Sequence, residues 1–88
     1  MPNAFTPNAD GKNDLYKFTA LGGIRDLEYF RIYNRLGQLI YSTKIYGQGW
    51  DGRIGGKLQD AGVYIWMAKA TDWDGTSFTE QGSFVLVR

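Results

Sequence analysis

The sequence predicts an antiparallel β-sandwich of about seven short strands, and three observations carry that prediction. Apolar and aromatic residues recur in short runs that alternate with period two, and no stretch keeps the 3.6-residue period of an amphipathic helix. Twelve glycines and two prolines punctuate the 88 residues, so turns come often and elements stay short. Aromatic side chains make up 16% of the chain, and these are residues that pleated, half-buried surfaces favour.

Residues 2–14 open the chain as a loop. Pro7 fixes its own φ and pushes Thr6 into an extended conformation. Asn8, Asp10, Asn13 and Asp14 can fold their side chains onto nearby backbone N–H groups, with Gly11 completing the turn. Residues 15–18 follow as a short strand with Tyr16 and Phe18 inward, and the paired Gly22 and Gly23 make 21–26 a loop. The strongest hairpin signal comes next: 28–33 and 38–42 flank Asn34-Arg35-Leu36-Gly37. Phe30 and Ile32 share one face, Arg31 and Tyr33 the other, and Gly37 supplies the positive φ of a short loop.

Residues 47–52 read as a further loop in which Trp50-Asp51-Gly52 turns the chain, Trp50 covering a sandwich edge and Asp51 bonding backbone N–H groups. The stretch 53–62 is rich in glycine and poorly periodic. Residues 63–70 are long, β-branched and aromatic, as expected of a central strand buried on both faces for part of its length. Asp74-Gly75 signals a two-residue hairpin turn. The segments 77–82 and 83–88 finish the chain as strand, with Gly82 marking a bulge or bend between them. The predicted core is Phe18, Phe30, Ile32, Ile40, Tyr64, Trp66, Phe84 and Leu86. Burying each contributes about 1.5–3 kcal/mol, offset largely by the entropy of ordering the chain.

Composition excludes several functions. With no cysteine and no histidine, disulfides, thiolate metal sites, imidazole bases and catalytic triads are all absent. The missing cysteines also favour either a cytosolic location or an export route that does not depend on disulfides. A net charge of +1 is no nucleic-acid footprint. No apolar run approaches a membrane span, and no signal-peptide pattern opens the chain. Met1 directly before Pro2 reads as a cut start, so the natural chain is expected to extend upstream.

Asn8, Asp10 and Asp14, with the carbonyl of Lys12, alternate like the first ligands of a calcium loop. Gly11 comes too early for that loop, Lys12 stands where an acid is expected, and no bidentate Glu follows. Asx-turns alone account for the same residues, and no cofactor is the plainer expectation. A calcium titration followed by thermal stability separates the two, since a bound ion raises the melting temperature. Asp72 and Asp74 lie two residues apart in a turn, as a solvated hairpin tip requires and a glycosidase acid–base pair does not. Arg31, Arg35, Arg53 and Arg88 read as a scattered solvated surface, although a terminal strand ending in Arg88 also suits β-augmentation or carboxylate capture.

Several motifs together resemble one family. They are Pro-Asn-Ala-Phe-Thr-Pro-Asn at 2–8, Asp-Gly-Lys-Asn-Asp at 10–14, Ile-Tyr-Asn-Arg at 32–35, Gly37, Trp50-Asp51-Gly52, Gly62-Val63-Tyr64 and the ending from Gly82 to Arg88. In order and spacing they are similar to the gliding motility-associated C-terminal domain, the type B C-terminal sorting domain of type IX secretion. Ala9 and Leu36 depart from the pattern, which usually has Gly and Trp at those places.

The resemblance implies an Ig-like sandwich spanning 1–88 as a single sorting domain of a larger secreted or surface protein, an adhesin among them. It implies a non-catalytic address that sends an upstream passenger through the type IX system to the cell surface or outside. The expected partners are outer-membrane components of that machinery, met by a monomer. Recognition is then expected to need the loop 2–14, the hairpin 32–41 and the strand 83–88 in place together, with Asn34, Arg35, Gly37, Trp50, Asp51, Phe84, Leu86 and Arg88 as candidate residues. The alternative from another class is a carbohydrate-binding accessory module that stacks sugars on Trp50, Trp66 or Trp73.

Overall fold

Alternation decides where the long strands lie, and the computed structural model, which describes residues 4–5, 15–19 and 23–87, follows it closely. The strands are β1 (Ala4–Phe5), β2 (Tyr16–Lys17), β3 (Asp26–Asn34), β4 (Leu39–Thr43), β5 (Gly49–Trp50), β6 (Arg53–Ile54), β7 (Lys57–Leu58), β8 (Gly62–Thr71) and β9 (Ser77–Leu86). No helix occurs among the described residues. A five-stranded sheet in the order β1-β9-β8-β3-β4 forms one layer. The pair β2-β5 covers its inner face, and β6-β7 is a separate small hairpin. The sandwich is antiparallel except that β1 runs parallel to β9, pairing Ala4 with Val85 and Phe5 with Leu86.

The core lies between the two layers. Phe30, Ile32, Tyr64, Trp66, Ala68, Ala70, Phe84 and Leu86 point inward from the large sheet, and Tyr16, Phe18 and Trp50 close over them. Seven of the eight predicted core residues are buried. The eighth, Ile40, is only partly buried, because it is the extra residue where Ile32 opposes Tyr41 while Tyr33 opposes Leu39. The Tyr16 ring stacks on Phe84 with centroids 3.8 Å apart, so the second layer is held largely by aromatic contact.

Several expectations about strand limits and burial are corrected. Strand β3 begins at Asp26, inside the expected loop 21–26, because Arg25 N–H already donates to the Thr71 carbonyl and starts the ladder with β8. Within the expected loop 47–52, Gly49 and Trp50 form a strand paired with Lys17 and Tyr16. Strand β8 is buried on its inner face alone: Val63 and Ile65 point outward and are 50% and 41% exposed, since no described element packs on that side. Gly82 makes no bulge, because β9 pairs with β8 without a shift from Ser77 to Leu86.

The reason for Gly82 is instead the indole opposite it. A Cβ there would lie 2.8 Å from Trp66 Nε1 and 3.1 Å from two further ring atoms. Gly82→Ala therefore displaces Trp66, and overpacking of this kind costs about 1–3 kcal/mol. Relief of glycine's entropy penalty, about 0.5–1 kcal/mol, offsets only part of that. The melting temperature followed by circular dichroism is expected to fall by about 5–10 °C.

Both long hairpins close with the same turn. Gly37 N–H donates to the Asn34 carbonyl and Asn34 N–H to the Gln38 carbonyl; Gly75 N–H and Asp72 N–H repeat the pattern with Asp72 and Thr76. Gly37 and Gly75 have φ of 83° and 85°, the left-handed residue that ends a three-residue loop. The expected two-residue turn at Asp74-Gly75 is thus corrected to this longer form. The side chains explain it: Asn34 Oδ1 accepts from Leu36 N–H and Gln38 N–H, and Asp72 Oδ1 from Asp74 N–H and Thr76 N–H.

Candidate functional site

Strand pairing gathers distant parts of the sequence at one end of the large sheet. Asn34 opposes Tyr64, Tyr64 opposes Phe84, and Gly62 opposes Leu86. Phe5 opposes Leu86, and Val87 N–H donates to the Phe5 carbonyl at 2.8 Å. The hairpin tip 34–38, the segment 59–62 and residues 85–87 therefore share one pole, while the turn 72–76 lies at the other. Between the tip and residues 59–64 runs a groove of about 360 Å³, lined by Asn34, Arg35, Leu36, Ile40, Asp60 and Val63 among others. Leu36 is 78% exposed, because the turn geometry aims it away from the sheet.

Trp50-Asp51-Gly52 is tied to the same region from beneath. Trp50 is 2% exposed; its ring packs against Tyr64 at 5.4 Å, and its Nε1–H donates to the Arg53 carbonyl. Asp51 Oδ1 accepts from Arg53 N–H as expected, and Gln59 N–H donates to the Gly52 carbonyl. Tyr64 Oη–H reaches the Asp60 carbonyl at 2.6 Å. These bonds fix the floor of the groove to the core.

The candidate residues thus divide. Asn34, Arg35 and Gly37 stand at the exposed tip, and Asp51 is exposed in the turn beside it. Trp50, Phe84 and Leu86 are core residues at 2%, 1% and 0% exposure, so they shape the pole without offering a surface to a partner. Asn8, Asp10, Lys12, Asp14 and Arg88 lie outside the described residues. Of the three tryptophans proposed to stack on sugars, Trp50 and Trp66 are corrected to core positions, Trp66 because β8 alternates and Trp50 because β5 pairs with β2 over the core. Trp73 alone is exposed, at 68%, on the opposite pole. Sequence reading missed the outward Val63, Ile65 and Val85; period two was the available signal.

Among the described residues, no group of three or more His, Cys, Asp or Glu comes together. The perturbed titrations belong to the core. Burial pushes the Tyr16 hydroxyl up to about 12. Tyr41 is also raised, by burial first, with the nearby Thr43 hydroxyl opposing the shift and Asp51 adding to it. The folded protein keeps both phenols neutral where the unfolded chain ionises them near pH 10. Stability is therefore intact below about pH 10 and falls as the pH rises towards about 12, by about 1.4 kcal/mol per pH unit for Tyr16 alone. Urea midpoints measured from pH 8 to pH 11 check this, and Tyr16→Phe is expected to make the decline shallower.

In class the fold is a small all-β sandwich domain. The chain matches the CHU_C family model, described as a type IX secretion signal domain, over residues 1–87. It belongs to that family. A search among curated proteins finds no match. No helix among the described residues is long and apolar enough to cross a membrane.

Proposed function

We infer that this domain is a non-catalytic sorting signal, read as a folded surface by outer-membrane components of the type IX machinery. It directs an upstream passenger to the cell surface or outside, acting as a monomer with no cofactor. One observation carries this reading beyond family membership. The segments 32–37, 50–52, 62–64 and 84–87, far apart in sequence, meet at one pole only once the sheet has formed. A linear tag has no need of such convergence; a shape-dependent one does.

The test is a reporter fused ahead of the full chain in a host that carries a type IX system. Export of the reporter is expected, and Ile32→Asp, which places a charge at a fully buried position, is expected to abolish it together with the fold. A reporter retained inside the cell behind the unaltered chain overturns the reading.

A further inference from the structure

The two long hairpins share a turn but not a surface. Arg35 and Trp73 hold the same place in it, directly after the residue whose side chain caps the turn. None of the bonds that close the turn 72–76 involves residue 73, so folding does not call for an indole there. Trp73 is nevertheless 68% exposed, and it enters none of the ring or cation contacts of the described residues. Its Nε1 edge rests beside Gly23, 3.7 Å from where a Cβ would stand, which leaves a broad face of the ring in water.

The segments beside the ring, 23–26 and 72–77, contain one apolar side chain besides Trp73; it is Ile24, and it is buried. Arg25 Nε donates to Asp26 Oδ2 at 3.2 Å. The bond holds the guanidinium over the turn, with Nη1 3.9 Å from where a Cβ at Gly75 would stand. Asp74 is exposed, and its carboxylate enters no hydrogen bond or ion pair among the described residues. An aromatic anchor for a protein sits in an apolar patch that neighbouring contacts keep dry. A lone indole among a guanidinium, carboxylates and hydroxyls instead complements a pyranose, whose axial C–H groups lie flat on the ring while its equatorial hydroxyls reach the polar side chains. Asp26, Asp72 and Asp74 outnumber Arg25, which disfavours uronates, phosphates and anionic lipid surfaces.

We propose that Trp73, with Arg25 and Asp74 beside it, is a binding platform for a neutral β-linked hexose of a glycan. Trp73 supplies the stacking surface, Arg25 donates to the sugar hydroxyls and Asp74 accepts from them. The platform stands at the pole opposite the hairpin tip 34–38 and residues 85–87. It is therefore independent of the sorting reading and leaves that other pole free.

The three indole N–H resonances of the purified domain test it, because Trp50 and Trp66 are buried and serve as internal controls. Cellohexaose or mannohexaose is expected to shift the Trp73 indole and the amides of residues 73–75, with a dissociation constant of about 1 mM. The Trp50 and Trp66 indoles stay in place, and hexagalacturonate is expected to move none of the three. Trp73→Ala, at an exposed position, is expected to weaken binding by about tenfold or more, while Trp73→Tyr retains it. Arg25→Ala and Asp74→Ala are each expected to weaken it about fivefold. No shift with either neutral sugar overturns the proposal, as does a shift that persists in Trp73→Ala or equal binding of hexagalacturonate. Binding unchanged by both Arg25→Ala and Asp74→Ala overturns it as well. If neither sugar binds and Trp73→Ala lowers export of the fused reporter, the ring belongs to a protein partner and the sugar platform falls.

Discussion

Trp50→Ala is expected to remove about 3–5 kcal/mol of stability, the cost of emptying a large aromatic site in a packed core. A chain of 88 residues has about 4–13 kcal/mol in total, so the variant loses a large share of what keeps it folded. The ring packs on Phe5 at 6.2 Å, Tyr64 at 5.4 Å and Phe84 at 6.4 Å. Those residues come from β1, β8 and β9, so Trp50 is where the covering layer grips the large sheet. Its indole N–H also satisfies the Arg53 carbonyl, which the alanine leaves without that donor. Chemical denaturation followed by circular dichroism checks the value. Trp73→Ala serves as the contrast: the side chain is 68% exposed, and surface substitutions of this kind stay within about 0.5 kcal/mol. Equal effects at the two positions contradict the packing described above.

Deleting residues 83–88 is expected to abolish folding and, with it, export of a fused passenger. Phe84 and Leu86 are fully buried, and losing two such side chains costs about 5–10 kcal/mol, comparable with the whole stability. The damage also spreads to β1, which pairs with β9 through Val85 and Leu86, and thereby to the buried Phe5. A shorter deletion of Val87 and Arg88 leaves both core residues and removes the bond from Val87 N–H to Phe5, a loss of about 1 kcal/mol. Dispersed amide resonances are expected for the shorter deletion and collapsed ones for the longer. A well-dispersed spectrum, or undiminished export, from the chain lacking 83–88 overturns the role assigned to the last strand.

Much of this was legible in local chemistry. The hairpin around Asn34 could be read because everything that specifies it lies within five residues: an amide side chain that caps two N–H groups and a glycine that accepts positive φ. The same logic is present at Asp72, where attention to Asp74-Gly75 alone gave a turn that is too short. Inward pairs such as Phe30 and Ile32, or Tyr64 and Trp66, follow from period two over strands long enough to show it. The family resemblance was legible because its motifs span most of the chain, and the family match bears it out.

The sequence by itself determined the all-β class, the two long hairpins, most of the core and the family. Tertiary structure alone decided that Trp50 is interior, that Gly82 answers a ring on the neighbouring strand, and that the outer faces of Val63 and Val85 stay uncovered. The division has a physical cause. A two-residue strand such as Gly49–Trp50 has no periodicity to read, and whether an outward valine is buried depends on a layer contributed, or not, by residues far away in the chain.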